Sequence, residues 1–311
     1  MRVLLTLLIG ASTAMAHSGE HLYVVNKAAN SMSIVNAESL EVEHTIDVGN
    51  NPHEMAVSPD GRKAYVGNAG GNTVSVVDLE TFTETKRIAT PDFSFPHGIA
   101  FTPDSRWALV TSEREQKVVL IDATTDEVVR SIDSEQGGTH MTAIDPSGRW
   151  AVFANRESNT MSFMDLDTFE MTGAVPVGDG AEGFAVAPDG GEIWVANRNA
   201  NTVSIVDVAR RQVVATFDLD ARPNRVAFTH DGQHVLFPMA SGELYVYDKA
   251  TRDRVETVPI GSTPGGVIAD DSGKVFIAMG GSDEIYVIDS ADWTVADRVR
   301  VGGGPDGIAY R

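Results

Sequence analysis

The sequence predicts an all-β fold, a seven-bladed β-propeller of four-stranded antiparallel blades, and three observations predict it. First, a hairpin-turn signature recurs at Pro59-Asp60-Gly61, Pro103-Asp104-Ser105, Pro146-Ser147-Gly148, Pro188-Asp189-Gly190, His230-Asp231-Gly232 and Asp271-Ser272-Gly273, each 41 to 44 residues after the one before. Second, alternating apolar runs end in Asp or Asn at Asn36, Asp78, Asp122, Asp165, Asp207, Asp248 and Asp289. Third, a short strand opens each repeat except the first. Glu54-Met55-Ala56-Val57 is followed by its equivalents at 98–101, 141–144, 183–186, 225–228 and 266–269, and the last copy, Gly307-Ile308-Ala309-Tyr310, stands at the C-terminal end. The first repeat lacks this strand and opens at Leu22-Tyr23-Val24-Val25. The C-terminal strand is therefore expected to complete the N-terminal blade, a closure that leaves only short, protected edges.

Ahead of the repeats, residues 1–16 read as a signal peptide. Arg2 supplies the positive start, Val3 to Gly10 a short apolar run, and Ala14-Met15-Ala16 a small-x-small cleavage pattern. The run is shorter than the roughly 20 residues that span a bilayer. Cleavage would leave residues 17–311 as one propeller domain in the periplasm, or secreted, with no membrane span. The formal net charge of −20 disfavours nucleic acid and anionic membrane faces as partners, since both require clustered Lys and Arg. The absence of cysteine excludes disulfides, thiolate metal sites and Cys nucleophiles.

Within a repeat, Thr73-Val74-Ser75-Val76-Val77-Asp78 alternates with the period of a strand. Asp-Gly suits the tight turn between first and second strands. Asn-rich links such as Asn68-Ala69-Gly70-Gly71-Asn72 join the second and third. The Asp that ends each third strand is read as a turn support. Tyr65-Val66-Gly67-Asn68 with Asn72 to Asp78, and Trp194-Val195-Ala196-Asn197 with Asn201 to Asp207, resemble the YVTN-repeat family. The resemblance covers nearly all of residues 17–311 and departs from pattern at Leu109–Ser112, Leu236–Met239 and Phe276–Met279. It implies an extracytoplasmic propeller and no particular chemistry.

In such a blade, the link entering the first strand and the link between second and third strands share a face, the top. Residues at the start of the first strands should ring the channel mouth. Blade by blade they are His53, His97, His140, Glu182, Asn224, Gly265 and Asp306. Three imidazoles in consecutive blades could hold zinc or copper, with nitrogen ligands at about 2.0–2.1 Å and Glu182 as a fourth ligand or an orienting group. The same face carries Lys27, Arg156, Arg198 and Arg225. With Asn224 and Asp306 these form a candidate small-ligand site, in which Arg beside His could take a carboxylate or phosphate. A second candidate metal site is His17 with His21, near the N-terminus that cleavage would create, in a segment expected to be flexible and to enter from the opposite face. Met141, Met239 and Met279 near the top are read as core filler rather than soft ligands.

Three functions remain open on this reading. The first is a non-enzymatic periplasmic ligand-binding propeller holding a small ligand or a Zn or Cu ion, as a metal-handling or accessory protein. The second is a lyase, isomerase or lactonase. By analogy with lactonases and cycloisomerases on this fold, it would use His140 as acid or base and Arg156, Glu182 and Arg198 around it. The third is a scaffold for a periplasmic redox or transport partner.

Overall fold

The computed structural model describes residues 20–311, so residues 1–16, read above as a signal peptide, and His17 lie outside the described residues. Among these residues the chain forms seven four-stranded antiparallel sheets and no helix. Blade 1 comprises, from the channel outward, Pro305–Tyr310, His21–Asn26, Ser31–Asn36 and Val42–Asp47. Blades 2 to 7 follow along the chain, spanning 52–89, 96–133, 139–176, 181–218, 227–259 and 264–300. The ring closes as expected: Leu22, Tyr23 and Val24 pair with Tyr310, Ala309 and Ile308. Reciprocal backbone bonds between His21 and Arg311, at 2.6 and 3.0 Å, finish the ladder.

The core consists of seven apolar clusters among the described residues, each made by two neighbouring blades. A middle strand is therefore buried on both faces. Val74 and Val76 pack toward blade 3 with Val110 and Val119, whereas Val77 packs toward blade 1 with Val25 and Ile34. Met239 and Met279 are fully buried core residues, as read from sequence.

Burial on both faces changes the meaning of the polar residues in these strands. Ser75 is buried and accepts a 2.8 Å bond from Asn68 Nδ2, which also reaches Thr73 Oγ1 at 3.1 Å. The same device recurs as Asn26 with Ser31 and Ser33, Asn155 with Thr160 and Ser162, and Asn197 with Thr202 and Ser204. The recurring Asn is thus the last residue of the second strand and a buried hydrogen-bond hub, not a piece of a loop. The Asp ending the third strand does support the turn: Asp78 Oδ1 accepts from the backbone N–H of Glu80 and Thr81.

Blade 6 departs from the expected plan. Its inner strand is only Ala227–Phe228, not the expected 225–228. The adjacent strand carries Pro238, which has no N–H to give, and its carbonyl instead accepts from Asn224 N at 3.1 Å. Pro223 and Met239 form an isolated bridge above this gap.

Candidate functional site

The top face is built by seven entry links, and their backbone is held in one unusual conformation. The residue that precedes the first strand is left-handed in six of them: Asn51, Phe95, Gly138, Gly180, Thr263 and Gly304, with φ from 51° to 74°. Four of these are latched by a side chain of the preceding blade. Asn30 Oδ1 accepts from Asn51 N, Asn72 Oδ1 from Phe95 N, Asn159 Oδ1 from Gly180 N and Asp283 Oδ1 from Gly304 N, at 2.7–3.0 Å. The rim is therefore fixed by backbone before any ligand arrives.

Inside this rim lies a cavity of about 310 Å³. The structure brings to its wall Lys27, His53, His97, His140, Arg156, Glu182, Arg198, Asn224, Arg225 and Asp306, the polar residues the sequence placed at the top. Gly265 leaves the blade 7 side bare. His21 does not join them. It is a buried strand residue at the far face, with Nε2 3.0 Å from Glu43 Oε2, so the expectation of a flexible two-histidine tail fails at His21. Its backbone is tied to Arg311 and its ring to Glu43.

Charge in the cavity is layered. The side chains of Lys27, Arg156 and Arg198 are 31–37 % exposed, while those of Glu54, Glu113, Glu182 and Asp306 are only 8–15 % exposed. Each cation rests on a buried carboxylate. Lys27 Nζ lies 3.0 Å from Asp306, Arg156 Nη1 3.3 Å from Glu113 and Arg198 Nη1 3.2 Å from Glu182. Glu182 is the hub, with Arg156 Nε at 2.7 Å, His140 Nε2 at 3.6 Å and Arg225 Nη1 at 3.7 Å. Burial opposes its ionisation. The contact and charge of His140, with Arg225 and Arg156, outweigh burial and hold the carboxyl at about 2. Arg225 reaches from blade 6 to Glu54 of blade 2, with Nη2 2.6 Å from Oε1. Burial pushes the Glu54 carboxyl upward against the pull of Arg225.

Sequence reasoning missed Glu113 and passed over Glu54 as a strand residue. Glu113 Oε2 takes the Nδ1 side of His140 at 2.6 Å, so His140 is clamped between two carboxylates and shut off from solvent. The imidazoles do form a row, with ring centroids 5.3 Å apart for His53–His97 and 3.7 Å for His97–His140. The His97 and His140 rings lie within 30° of parallel. A ring nitrogen's lone pair lies in its ring plane, so stacked rings do not aim their nitrogens at one point. His53 Nε2 also meets Asn51 Oδ1 at 3.0 Å. Among the described residues, no group of three His, Asp or Glu side chains is arranged to hold a metal ion. Burial lowers His53 to about 4 despite Asp306, and burial with repulsion from His140 and Arg225 drives His97 well below its ordinary value. Both rings are neutral at neutral pH. His97 Nδ1 and Asn224 Oδ1 are buried without a hydrogen-bond partner.

Fold and site together define a closed seven-bladed propeller with a charged funnel on its top face. The chain belongs to the family described as "Lactonase, 7-bladed beta-propeller", whose model matches residues 42–217. It is similar to Protein NirF of Pseudomonas aeruginosa, 25 % identical over 201 residues that cover 61 % of this chain and 51 % of NirF. The match thus spans about half the length of that relative. Among solved structures it resembles a chain of Kuenenia stuttgartiensis hydrazine synthase (TM-score 0.79, 24 % identity, 87 % of this chain and 92 % of that one). It also resembles a functionally unknown protein from Desulfotomaculum acetoxidans (0.79, 16 %, 93 % and 98 %). A third likeness is to dihydro-heme d1 dehydrogenase NirN in complex with DHE (0.70, 16 %, 93 % and 74 %). At these identities the structural likenesses speak for the fold.

Proposed function

We propose that the chain is an exported ligand-binding propeller whose top funnel holds an anionic, carboxylate-bearing small molecule in the periplasm. The observation that carries this reading is the layered charge. Lys27, Arg156 and Arg198 reach the funnel surface, and the carboxylates that position them lie beneath. A guanidinium held from behind keeps other donors for a ligand carboxylate in front. The signal-like N-terminus supports export, and no helix among the described residues is long and apolar enough to cross a membrane. The likeness to NirN, a dihydro-heme d1 dehydrogenase, supports a haem d1-type tetrapyrrole as the specific occupant. Its carboxylate side chains would meet Lys27, Arg156 and Arg198.

Native mass spectrometry of protein exported to the periplasm of a haem d1-producing host tests this. The spectrum should show a bound anionic ligand that an Arg156→Ala/Arg198→Ala variant lacks, and the same spectra read any zinc or copper directly. Indistinguishable spectra of the two proteins would refute the reading.

A second reading, lactone hydrolysis or isomerisation, is favoured by the two neutral imidazoles at the wall. It moves the base from His140, whose ring is clamped, to His53 or His97.

A further inference from the structure

The rim position that must be left-handed is filled by residues suited to it in four blades, namely Asn51, Gly138, Gly180 and Gly304. Two blades break that rule. Phe95 has φ 60° and Thr263 has φ 60°. A bulky or β-branched residue in this region is crowded by its own Cβ, though the chain also places Leu40, Phe82, Phe169 and Trp293 there at turns away from the funnel. Both misfits line the cavity, and they belong to different blades, 3 and 7. Nothing in the fold requires a ring at Phe95, since blades 4 and 5 make the same link with Gly138 and Gly180.

The Phe95 side chain is instead built into the wall. Its ring lies parallel to His97 within 11° at a centroid distance of 5.9 Å and stands 5.2 Å from His53. The Arg114 guanidinium sits 4.8 Å from its centroid. Its backbone N–H donates to Asn72 Oδ1 at 3.0 Å, which fixes where its Cα stands on the rim. On other blades stand Lys27, Arg156 and Arg198, and the blade 7 side is open at Gly265.

We propose that Phe95 is a specificity-determining residue of the funnel: with His97 it forms an aromatic wall against which a planar, conjugated anion packs while its carboxylates reach the cations of the other blades. Thr263 borders the bare blade 7 side and meets the ligand's far edge. The inference rests on the anion-binding reading and adds the shape of the anion to it.

Two tetracarboxylates separate shape from charge. Benzene-1,2,4,5-tetracarboxylate is planar and conjugated; butane-1,2,3,4-tetracarboxylate carries the same carboxylates on a saturated chain. Calorimetric titration of the full exported protein at low salt should show the aromatic probe binding roughly two- to tenfold tighter, the range of a single stacking contact. Phe95→Asn supplies the residue that blade 2 uses at this position. It should erase that preference and leave the Tm equal or higher. Phe95→Trp should keep the preference. If wild-type protein binds neither probe, the anion-binding reading itself fails. If wild type binds both equally, the preference survives Phe95→Asn, or Phe95→Asn lowers the Tm by several degrees, the stacking inference is overturned while anion binding stands.

Discussion

Replacing Glu182 by Gln removes one negative charge from the point where Arg156, Arg198, Arg225 and His140 converge. The size of the effect follows from the carboxyl itself. Its ordinary value is 4.5 and the folded protein holds it at about 2, so folding favours the anion by about 3 kcal/mol. The group is almost fully buried, and the general cost of breaking a buried ion pair, about 3–5 kcal/mol, agrees. The sign is that of a depressed acid. The contribution is complete above pH 4.5 and is lost as pH falls from there through about 2. Linkage leaves about half of it at pH 3. Glu182→Gln should therefore lower unfolding stability by about 3 kcal/mol at pH 7, and by about half as much relative to wild type at pH 3. Urea unfolding of both proteins at the two pH values measures this. A loss below about 1 kcal/mol at pH 7, or a gap that does not narrow on acidification, would refute the assignment of Glu182 as the hub.

Two further predictions concern buried polar groups. Arg225→Met should cost about 3–5 kcal/mol because it strands Glu54, whereas the Glu54→Leu/Arg225→Met pair should recover most of that loss. Additive costs in urea unfolding would contradict a coupled pair across the channel. Asn197→Ala should cost about 1–3 kcal/mol by removing the buried donor shared by the Thr202 and Ser204 hydroxyls. Asn197→Ala/Ser204→Ala should cost less than the sum of its single changes, and thermal unfolding of the four proteins checks that.

The ring was legible because each blade repeats one set of demands, and a period of about forty residues with a displaced last strand has few other meanings. The channel mouth was legible for the same reason: one repeat position, occupied by His53, His97, His140 and Glu182, maps to one place in space. What escaped depends on contacts between repeats. Glu113 follows its second strand where other blades have Lys27, Arg156 or Arg198, so its position gives no hint that it clamps His140 of the next blade. Glu54 lies beside His53 in sequence, but its partner Arg225 is four blades away. The Asn hubs were visible as a pattern, with Ser or Thr five and seven residues later, yet their burial follows only from blades covering both faces of a strand. Phe95 carried a signal in register, a large residue at a position otherwise held by Asn51, Gly138, Gly180, Thr263 and Gly304. Reading it requires knowing that the position is left-handed.

On the proposed reading, the funnel would let a strongly acidic protein select an anion. Four cationic side chains, Lys27, Arg156, Arg198 and Arg225, face four carboxylates, Glu54, Glu113, Glu182 and Asp306, so selectivity does not come from a local excess of cations. It comes from depth. The carboxylates are withdrawn and already satisfied, while Lys27, Arg156 and Arg198 stand in contact with solvent. An entering carboxylate meets the cations first and displaces water rather than protein. Because Glu182 and Glu113 fix the guanidiniums in advance, little side-chain freedom remains to be lost on binding, which favours affinity in a site of small volume. The same layering confines salt screening to the exposed donors, so added salt should weaken ligand binding while the buried Glu182 hub that organises the site persists.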